Sequence, residues 1–187
     1  MQQLLQHISS YASLSAATTE AIHDSFEKQL RPKNDLLLRE GQICRYLYFM
    51  EKGALRGFYN SEGKEITHWF GFENDFVTSF HSFITQQPAV ENIQLTEGCI
   101  LWAVSKEKLD DLLNRFTEIE RLLRLAYEKY YIRLEERFVN AQFKTASKLY
   151  EELLQQRPHI VERMPLGYIA SYLGISQETL SRIRTRL

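Results

Sequence analysis

Residues 166–186 read LGYIASYLGISQETLSRIRTR, and their spacing decides the fold of the C-terminal part of the chain. The letters IASYL place apolar or small residues on one face of a first helix. Gly174 follows where the chain must turn, because glycine takes a positive φ at little cost. Ser176 is a suitable N-cap for a second helix, whose inward residues are Leu180 and Ile183. The segment therefore predicts a helix-turn-helix.

The second helix of this motif leaves a polar outer face. Its candidate DNA-contacting residues are Gln177, Glu178, Ser181 and Arg182, with Ser176, Thr179 and Arg184 around them. Arginine can donate two hydrogen bonds to guanine, glutamate can accept one from cytosine, and glutamine can pair with adenine. Residues 164–187 carry three Arg and one Glu, although the whole chain has a net charge of −1. The pattern favours a local contact with the major groove of double-stranded DNA over an ordinary solvated helix face.

A long helix is predicted in the middle of the chain, from Thr117 to Phe143. The segment contains neither glycine nor proline, and its apolar residues recur every three or four positions. At 1.5 Å per residue such a helix is about 40 Å long. Its narrow apolar stripe predicts pairing with a second copy of the chain; packing on the helix's own domain is the alternative. The residues expected in the dimer interface are Leu122, Leu123, Ala126, Tyr130, Leu134 and Phe138.

The first two thirds of the chain change from a helical start to strands. Residues 1–30 suggest helix, whereas 36–104 contain short aromatic and β-branched runs separated by turn residues, which indicates a β sandwich or barrel. Asn60 to Lys64 is a hairpin turn rich in residues that tolerate positive φ. The predicted strands include 36–38, 46–50, 55–59, 66–72, 76–80, 91–95 and 99–104. Further helices are predicted from Ser105 to Phe116 and over 145–156, the latter ended by Arg157-Pro158.

The order β roll, long helix, helix-turn-helix resembles the Crp/Fnr family of bacterial transcription regulators, in the short form typical of Bacteroidetes. The resemblance implies an α+β fold. Residues 1–116 would be a double-stranded β-helix (jelly-roll) barrel of the cyclic-nucleotide-binding type, 117–143 a dimerisation helix, and 144–187 a helix-turn-helix domain without a full wing. The segment ETLSR at 178–182 is similar to the family's recognition helix, which implies that Glu178, Ser181 and Arg182 read bases. Gln177 stands where the cAMP receptor protein has an arginine.

The expected ligand pocket of the β roll departs from this family's pattern. Members that bind cyclic nucleotides carry a Gly-Glu pair and then an Arg-Ser pair, whose arginine binds the cyclic phosphate. Thr78 and Ser79 stand in place of the first pair and Ala89 and Val90 in place of the second. Because no cation is left for the phosphate, we expect neither cAMP nor cGMP to bind. The candidate pocket residues are Trp69, Thr78, Ser79, Phe80, Ala89 and Val90, around a space that is empty, filled by aromatic rings or used for another ligand.

Composition excludes several other classes of function. Two cysteines, Cys44 and Cys99, cannot form a disulfide framework or a four-cysteine metal site, and no metal site or resident cofactor is expected. His68 and His81 are weak candidates for haem ligands. No Gly-rich phosphate loop or Gly-x-Ser-x-Gly elbow suggests an enzyme. The N-terminus does not resemble a signal peptide, and the apolar runs are too short to cross a membrane, so a cytoplasmic protein is expected.

These observations lead to one hypothesis with one rival. We expect a homodimeric, sequence-specific DNA-binding transcription regulator that recognises a near-palindromic site, with RNA polymerase as a further partner if it activates transcription. A hinge is expected near residues 140–145, between the long helix and the DNA-binding part. The rival is a ligand-sensing or protein-binding module of the cyclic-nucleotide type with a vestigial DNA-binding domain.

Overall fold

The structure, a computed structural model, describes residues 1–11 and 13–186, with the side chains of all of these except Lys129 and Ala141. Two helices begin the chain, α1 (Gln2–Ser9) and α2 (Ala16–Ser25). The strands that follow are β1 (Glu27–Arg31), β2 (Leu36–Leu38), β3 (Tyr46–Lys52), β4 (Leu55–Ser61), β5 (Lys64–Gly71), β6 (Phe76–Val77), β7 (Asn92–Leu95) and β8 (Cys99–Ser105). A short helix, α3 (Phe80–Thr85), lies between β6 and β7.

The strands form two antiparallel four-stranded sheets that face each other as a β roll. One sheet has the order β1-β8-β3-β6 and the other the order β2-β7-β4-β5. Their inward side chains, including Met50, Leu55, Ile93 and Leu101, are almost completely buried. Burial of this apolar surface is the main force that holds the roll together.

Helices make up the rest of the described chain. They are α4 (Lys106–Arg115), α5 (Thr117–Phe143), α6 (Ala146–Gln156), α7 (Pro158–Arg163), α8 (Leu166–Tyr172) and α9 (Gln177–Arg184). Ser105, Thr145 and Ser176 cap α4, α6 and α9, since each hydroxyl accepts a hydrogen bond from a backbone N–H three residues later. Pro158 occupies the first turn of α7, where its missing N–H costs nothing.

Several predictions from the sequence are confirmed. The long helix has the expected bounds, and α8 and α9 form the predicted helix-turn-helix with Gly174 at φ +70°. The turn between β4 and β5 has positive φ at Glu62 and Gly63, as its composition indicated. Near residues 140–145, α5 ends at Phe143 and Lys144 is extended before α6 begins; a hinge motion there stays a prediction.

Three predictions were wrong. The helical start does not reach residue 30, because 27–31 pair with β8 from Glu27 opposite Ala103 to Arg31 opposite Cys99. The strand expected over 76–80 stops at Val77, since the Thr78 hydroxyl donates to the Tyr46 carbonyl, and α3 then begins. The strand expected from residue 91 begins at Asn92.

A second hydrophobic core lies among the C-terminal helices and continues into the β roll. Ile169, Ala170 and Leu180 hold the two helices of the helix-turn-helix together. Ala54 and Phe72 of the β roll belong to the same buried cluster. The helical part is therefore packed against the roll. No helix among residues 1–11 and 13–186 is long and apolar enough to cross a membrane.

The positive φ at Gly174 leads to a prediction about stability. A Cβ added at Gly174 would meet no atom within 4 Å, so Gly174→Ala changes backbone strain and not packing. We expect the free energy of unfolding to fall by about 1 kcal/mol in urea titrations, the cost of a left-handed conformation for alanine.

Gly98→Ala is the matched control for this variant. Its added Cβ also meets nothing within 4 Å, but the backbone of Gly98 is not in the left-handed region. Its free energy of unfolding should be unchanged or slightly higher, because alanine restricts the unfolded chain. Equal losses in the two variants would contradict the role assigned to the turn.

Candidate functional site

The helix-turn-helix presents α9 on a rigid support. Ile169, Ala170 and Leu180 are nearly or completely buried between the two helices. The Ser176 hydroxyl accepts from the Thr179 N–H at 3.2 Å, which defines the first turn of α9. Burial on one side and a cap at the start fix the direction in which the other face of α9 points.

The outer face of α9 carries most of the predicted DNA-contacting residues. Gln177, Glu178, Ser181, Arg182 and Arg184 are exposed to solvent. A hydrogen bond from its own backbone N–H and one from Ser176 hold the pKa of Glu178 below its ordinary value. Glu178 is therefore a charged acceptor at neutral pH.

Two of the predicted DNA-contacting residues also have structural roles. The Thr179 hydroxyl is half-buried and lies 3.1 Å from the Ser176 hydroxyl, within the cap of α9. Arg182 donates to Thr179 Oγ1 at 3.4 Å, a long hydrogen bond that leaves the guanidinium exposed. Ser176 and Thr179 thus shape the start of the helix, and Arg182 remains available.

The helix-turn-helix part is attached to the β roll through Arg163, at the end of α7, a residue that was not predicted from the sequence. Its guanidinium donates to both carboxylate oxygens of Glu73, at 2.7 and 2.9 Å, and to both of Glu97, at 2.8 and 2.9 Å. Glu73 also accepts from the Gly53 N–H at 2.8 Å. The hydrogen bond from Arg163 lowers the pKa of Glu73 to about 2, and the hydrogen bonds to Glu97 and Glu73 raise the pKa of Arg163. Such charge-assisted pairs with both forks used are strong and directional.

A second attachment joins α8 to the edge of the β roll. The Ser171 hydroxyl accepts from the Thr67 N–H and donates to the Glu65 carbonyl, both at 2.9 Å. It therefore satisfies two backbone groups of β5, which is the edge strand of its sheet. The first helix of the helix-turn-helix covers an edge that would otherwise be open there.

Arg56 of β4 lies beneath this contact and is only 1% exposed. Its guanidinium donates to Gln94 at 2.8 and 3.0 Å and forms an ion pair with Glu65. The ring of Tyr168, on α8, lies 3.6 Å from the guanidinium carbon. The cation–π contact with Tyr168 makes α8 part of the environment of this buried charge.

The candidate pocket of the β roll contains a buried carboxylate close to the position where members that bind cyclic nucleotides carry their phosphate-binding arginine. Glu91 is buried, and its Oε2 lies 2.7 Å from His68 Nε2 and 2.9 Å from Trp69 Nε1. Burial raises the pKa of Glu91, but hydrogen bonds from His68, Ser79 and Trp69 outweigh it and lower the pKa below its ordinary value. Tyr59 stacks on the His68 ring at 4.2 Å. Glu91 is thus a fixed negative charge.

The other predicted pocket residues separate into two groups. Trp69, Thr78 and Phe80 line the space between the β roll and α5. Ala89 is buried and joins the chain near Gly41 through its backbone, while Val90 is exposed to solvent. Glu91 was not predicted as a pocket residue, although Glu91 directly follows the Ala89-Val90 pair in the sequence.

A cavity of about 570 Å³ extends from this pocket towards the helix-turn-helix. Trp69 and Glu91 stand on the β-roll side, Tyr130 and Arg137 on α5, and Tyr172 on α8. The cavity therefore touches the three parts of the chain that the sequence distinguished. Its volume lies in the range of small-molecule sites.

The two halves of the long helix α5 lie in different environments. Its first half packs on its own β roll, where Ile119 and Leu122 are buried. Leu123 and Ala126 are half-buried beside them, and Tyr130 lies against Phe80 with ring centroids 4.2 Å apart. Leu134 and Phe138, further along, are exposed. The first half of α5 thus packs on its own domain, which was the alternative to pairing with a second copy. Leu122 has little exposed surface left for contact with a second subunit.

Comparison with known proteins supports this architecture. Residues 28–116 match the cyclic nucleotide-binding domain family. No curated protein sequence is similar enough to the chain to count as a match. The match covers β1 to the end of α4, which is the β roll described above.

Solved structures resemble the chain beyond this domain. The c-di-GMP-responsive global regulator CLP of Xanthomonas campestris has a TM-score of 0.70 at 17% identity, over 92% of this chain and 91% of that one. The chain shares the fold of Crp/Fnr regulators. A protein assigned to the Crp/Fnr transcriptional regulators of Eubacterium rectale gives 0.73 at 19%, over 92% and 83%, respectively. FixK2 of Bradyrhizobium japonicum gives 0.72 at 18%, over 87% and 84%.

The Arg163 contacts predict how stability depends on pH. Because the folded pKa of Glu73 is about 2 and its ordinary value is 4.5, the pair stabilises the fold fully above pH 4.5 and loses its effect as the pH falls towards 2. Arg163→Gln should lower the free energy of unfolding at pH 7 by about 2 kcal/mol. The gap from wild type should narrow between pH 5 and pH 3, as measured by urea unfolding at each pH.

Arg115→Gln provides the control, since it removes an exposed ion pair with Asp111 within one helix. It should change the free energy of unfolding by less than about 0.5 kcal/mol at any of these pH values. A loss in Arg163→Gln that is the same at every pH would show that the charge pairing is not its cause.

Proposed function

We propose that this protein is a homodimeric, sequence-specific DNA-binding transcription regulator of the Crp/Fnr type. The observation that carries the proposal is the row of exposed polar side chains on α9, on a helix-turn-helix whose other face is buried. The transcription regulators that share its fold add support. The polar face of α9 stays exposed although the helix-turn-helix packs on the β roll, and a vestigial DNA-binding domain would have no need for such an accessible face.

Each residue of this face has a role in the proposal. Arg182 donates to guanine, Glu178 accepts from cytosine N4, and Gln177 pairs with adenine or a neighbouring base. Ser181 lies between them and bonds to a base edge or a phosphate. Gln177 and Glu178 lie in the N-terminal half of α9, which enters the major groove in helix-turn-helix proteins, and Ser181 and Arg182 lie about one turn further along the helix.

The second half of α5 supports the dimer. Tyr131, Leu134, Phe138, Val139 and Phe143 leave a large apolar surface exposed. Exposed apolar surface of this extent on one helix indicates an interface. A second copy of α5 covers it in the proposal and places two copies of α9 on a near-palindromic site.

Cyclic AMP is not the effector in this proposal. Glu91 places a buried negative charge in the pocket where the cyclic phosphate would need a cation. Bringing a phosphate into that position would add like-charge repulsion to the loss of its hydration. DNA binding should therefore be indifferent to added cAMP.

The proposal is tested first with Arg182→Ala. Fluorescence anisotropy with duplexes from upstream of the protein's own gene should show sequence-selective, salt-dependent binding by the wild type. The variant should bind the selected duplex about tenfold or more weakly and should lose its preference over a scrambled duplex, because the arginine–base contact is gone. Adding cAMP should change neither result.

The matched control is Arg124→Ala, which removes an equal charge from an exposed position of α5. It should keep the wild-type preference. An Arg182→Ala variant that still discriminates between the duplexes would refute the assigned reading face. Absence of selective binding by the wild type on every upstream duplex would refute DNA recognition by the chain as purified.

The dimer is tested with Phe138→Glu, at a side chain that is 64% exposed. A charge there should not disturb the monomer but should oppose burial against a second copy. Sedimentation velocity should give a dimer for the wild type and a monomer for the variant. Leu30→Glu places the same charge at an exposed apolar residue of β1 and should remain dimeric. A monomeric wild type at micromolar concentration would contradict the proposal.

A further inference from the structure

The cavity between the β roll, α5 and α8 contains a cation without an ionic partner. The guanidinium of Arg137 has neither a hydrogen bond nor an ion pair with any residue in the described ranges; it has a cation–π contact with Tyr172, 5.0 Å from the ring centroid. The side chain is half-buried. Burial lowers the pKa of Arg137 from its ordinary value, which shows that its charge is poorly solvated.

The carboxylates that line the cavity do not neutralise this charge. Asp75 pairs with Arg133 at 3.6 Å, and Glu152 pairs with Lys144 at 2.7 Å. Glu91 is held by its hydrogen bonds on the β-roll side.

Two charged residues of the lining stand outside these pairs. Glu136 is exposed and adjacent to Arg137 in the helix, and neighbouring residues of a helix point in different directions. Arg157 also lines the cavity and is exposed, so water solvates its charge. Arg137 is thus the half-buried cation of the lining that an incoming anion would neutralise with the largest gain.

Aromatic rings surround this cation on several sides. Tyr130 and Phe80 pack together with ring centroids 4.2 Å apart, and Tyr172 packs on Phe70 at 5.2 Å. Trp69 lines the same cavity. Flat apolar surfaces with one charged donor favour a planar ligand that carries a single anionic group.

We propose that this cavity is an effector site for a planar aromatic carboxylate, whose carboxylate pairs with the Arg137 guanidinium. The inference rests on the proposed function, because it treats the bound molecule as the signal of a DNA-binding regulator. A carboxylate fits better than a phosphate monoester, since it carries one charge and matches the two-pronged guanidinium. The cation that pairs with the ligand's carboxylate is thus on α5, and not on the loop before Glu91.

The position of the site connects the ligand to the helix-turn-helix. Arg137 lies on α5 and Tyr172 on α8, so an anion that draws the guanidinium towards the cavity changes its contact with Tyr172. The ligand therefore biases how α8 sits against α5. Its differential affinity for the two arrangements sets the size of the effect on DNA binding.

Tryptophan fluorescence of the full-length protein tests the site, because Trp69 is one of only two tryptophans and lines the cavity. The probes are 2-naphthoate and its neutral isostere 2-naphthamide, with cAMP as a third titrant. We expect 2-naphthoate to quench the emission saturably and 2-naphthamide to bind about tenfold more weakly, as for loss of a charged hydrogen bond. Isothermal titration calorimetry measures the same affinities independently of emission.

The variants are Arg137→Gln, Arg137→Lys and, as matched control on the same helix, Arg124→Gln. Arg137→Gln should weaken 2-naphthoate binding about tenfold without changing that of 2-naphthamide, and Arg137→Lys should retain part of the affinity. Arg124→Gln should bind like the wild type, since Arg124 pairs with Glu128 on the exposed side of α5. Thermal unfolding of each variant reports whether it folds.

Three results would overturn the proposal: no 2-naphthoate binding up to millimolar concentration, equal affinity for acid and amide, or undiminished binding by a folded Arg137→Gln. If Arg137→Gln does not fold, the acid-against-amide comparison on the wild type still decides. Saturable binding of cAMP that competes with 2-naphthoate would also count against a carboxylate site. Anisotropy with the upstream duplexes, run on the same preparations, keeps failure of this site apart from failure of DNA recognition.

Discussion

The position of the helix-turn-helix part depends on one arginine held between two turns of the β roll. Arg163, at the end of α7, donates to Glu73, which follows β5, and to Glu97, which precedes β8. Four hydrogen bonds between charged groups, each partly shielded from water, restrict α7 far more than an exposed ion pair would. Ser171 adds two backbone contacts on the edge of β5, and α8 is thereby tied to the sheet at a second point. Together, the contacts of Arg163 and Ser171 with the β roll set the direction in which the exposed face of α9 points.

The charges of the pocket differ from those that a cyclic nucleotide requires, although the domain matches the cyclic nucleotide-binding family. Glu91 is buried and negative, and it is held by the imidazole of His68 and the indole of Trp69. The half-buried positive charge comes instead from Arg137 on α5, near Tyr172 of the helix-turn-helix. A ligand that satisfies this arrangement would touch both the long helix and the helix-turn-helix. The cavity thus links any occupant to the orientation of α8, because its walls belong to different parts of the chain.

Much of the fold was accessible from the sequence because local rules apply to it. The end of α5 was accessible because Thr145, which caps α6, follows it closely, and no glycine or proline interrupts the helix between its bounds. Gly174 and Ser176 mark the turn and the cap of the helix-turn-helix through conformations that few other residues adopt. The order of the parts followed from the same patterns, and this order is what resembled a known family. By contrast, β1 has no clear alternation, and it is a strand only because β8 offers a partner for Glu27 to Arg31.

The sequence by itself determined most of the elements, their order and the polar face of α9, since these depend on residues within a few positions of one another. Only the tertiary structure decided which charges meet: Arg163 with Glu73 and Glu97, 90 and 66 residues away, and Glu91 with His68 at 23. It also decided that Arg137 remains without a carboxylate in the part of the chain that the structure describes. Ionic pairing over such separations leaves no periodic signal, because it depends on how sheets and helices pack and not on local spacing.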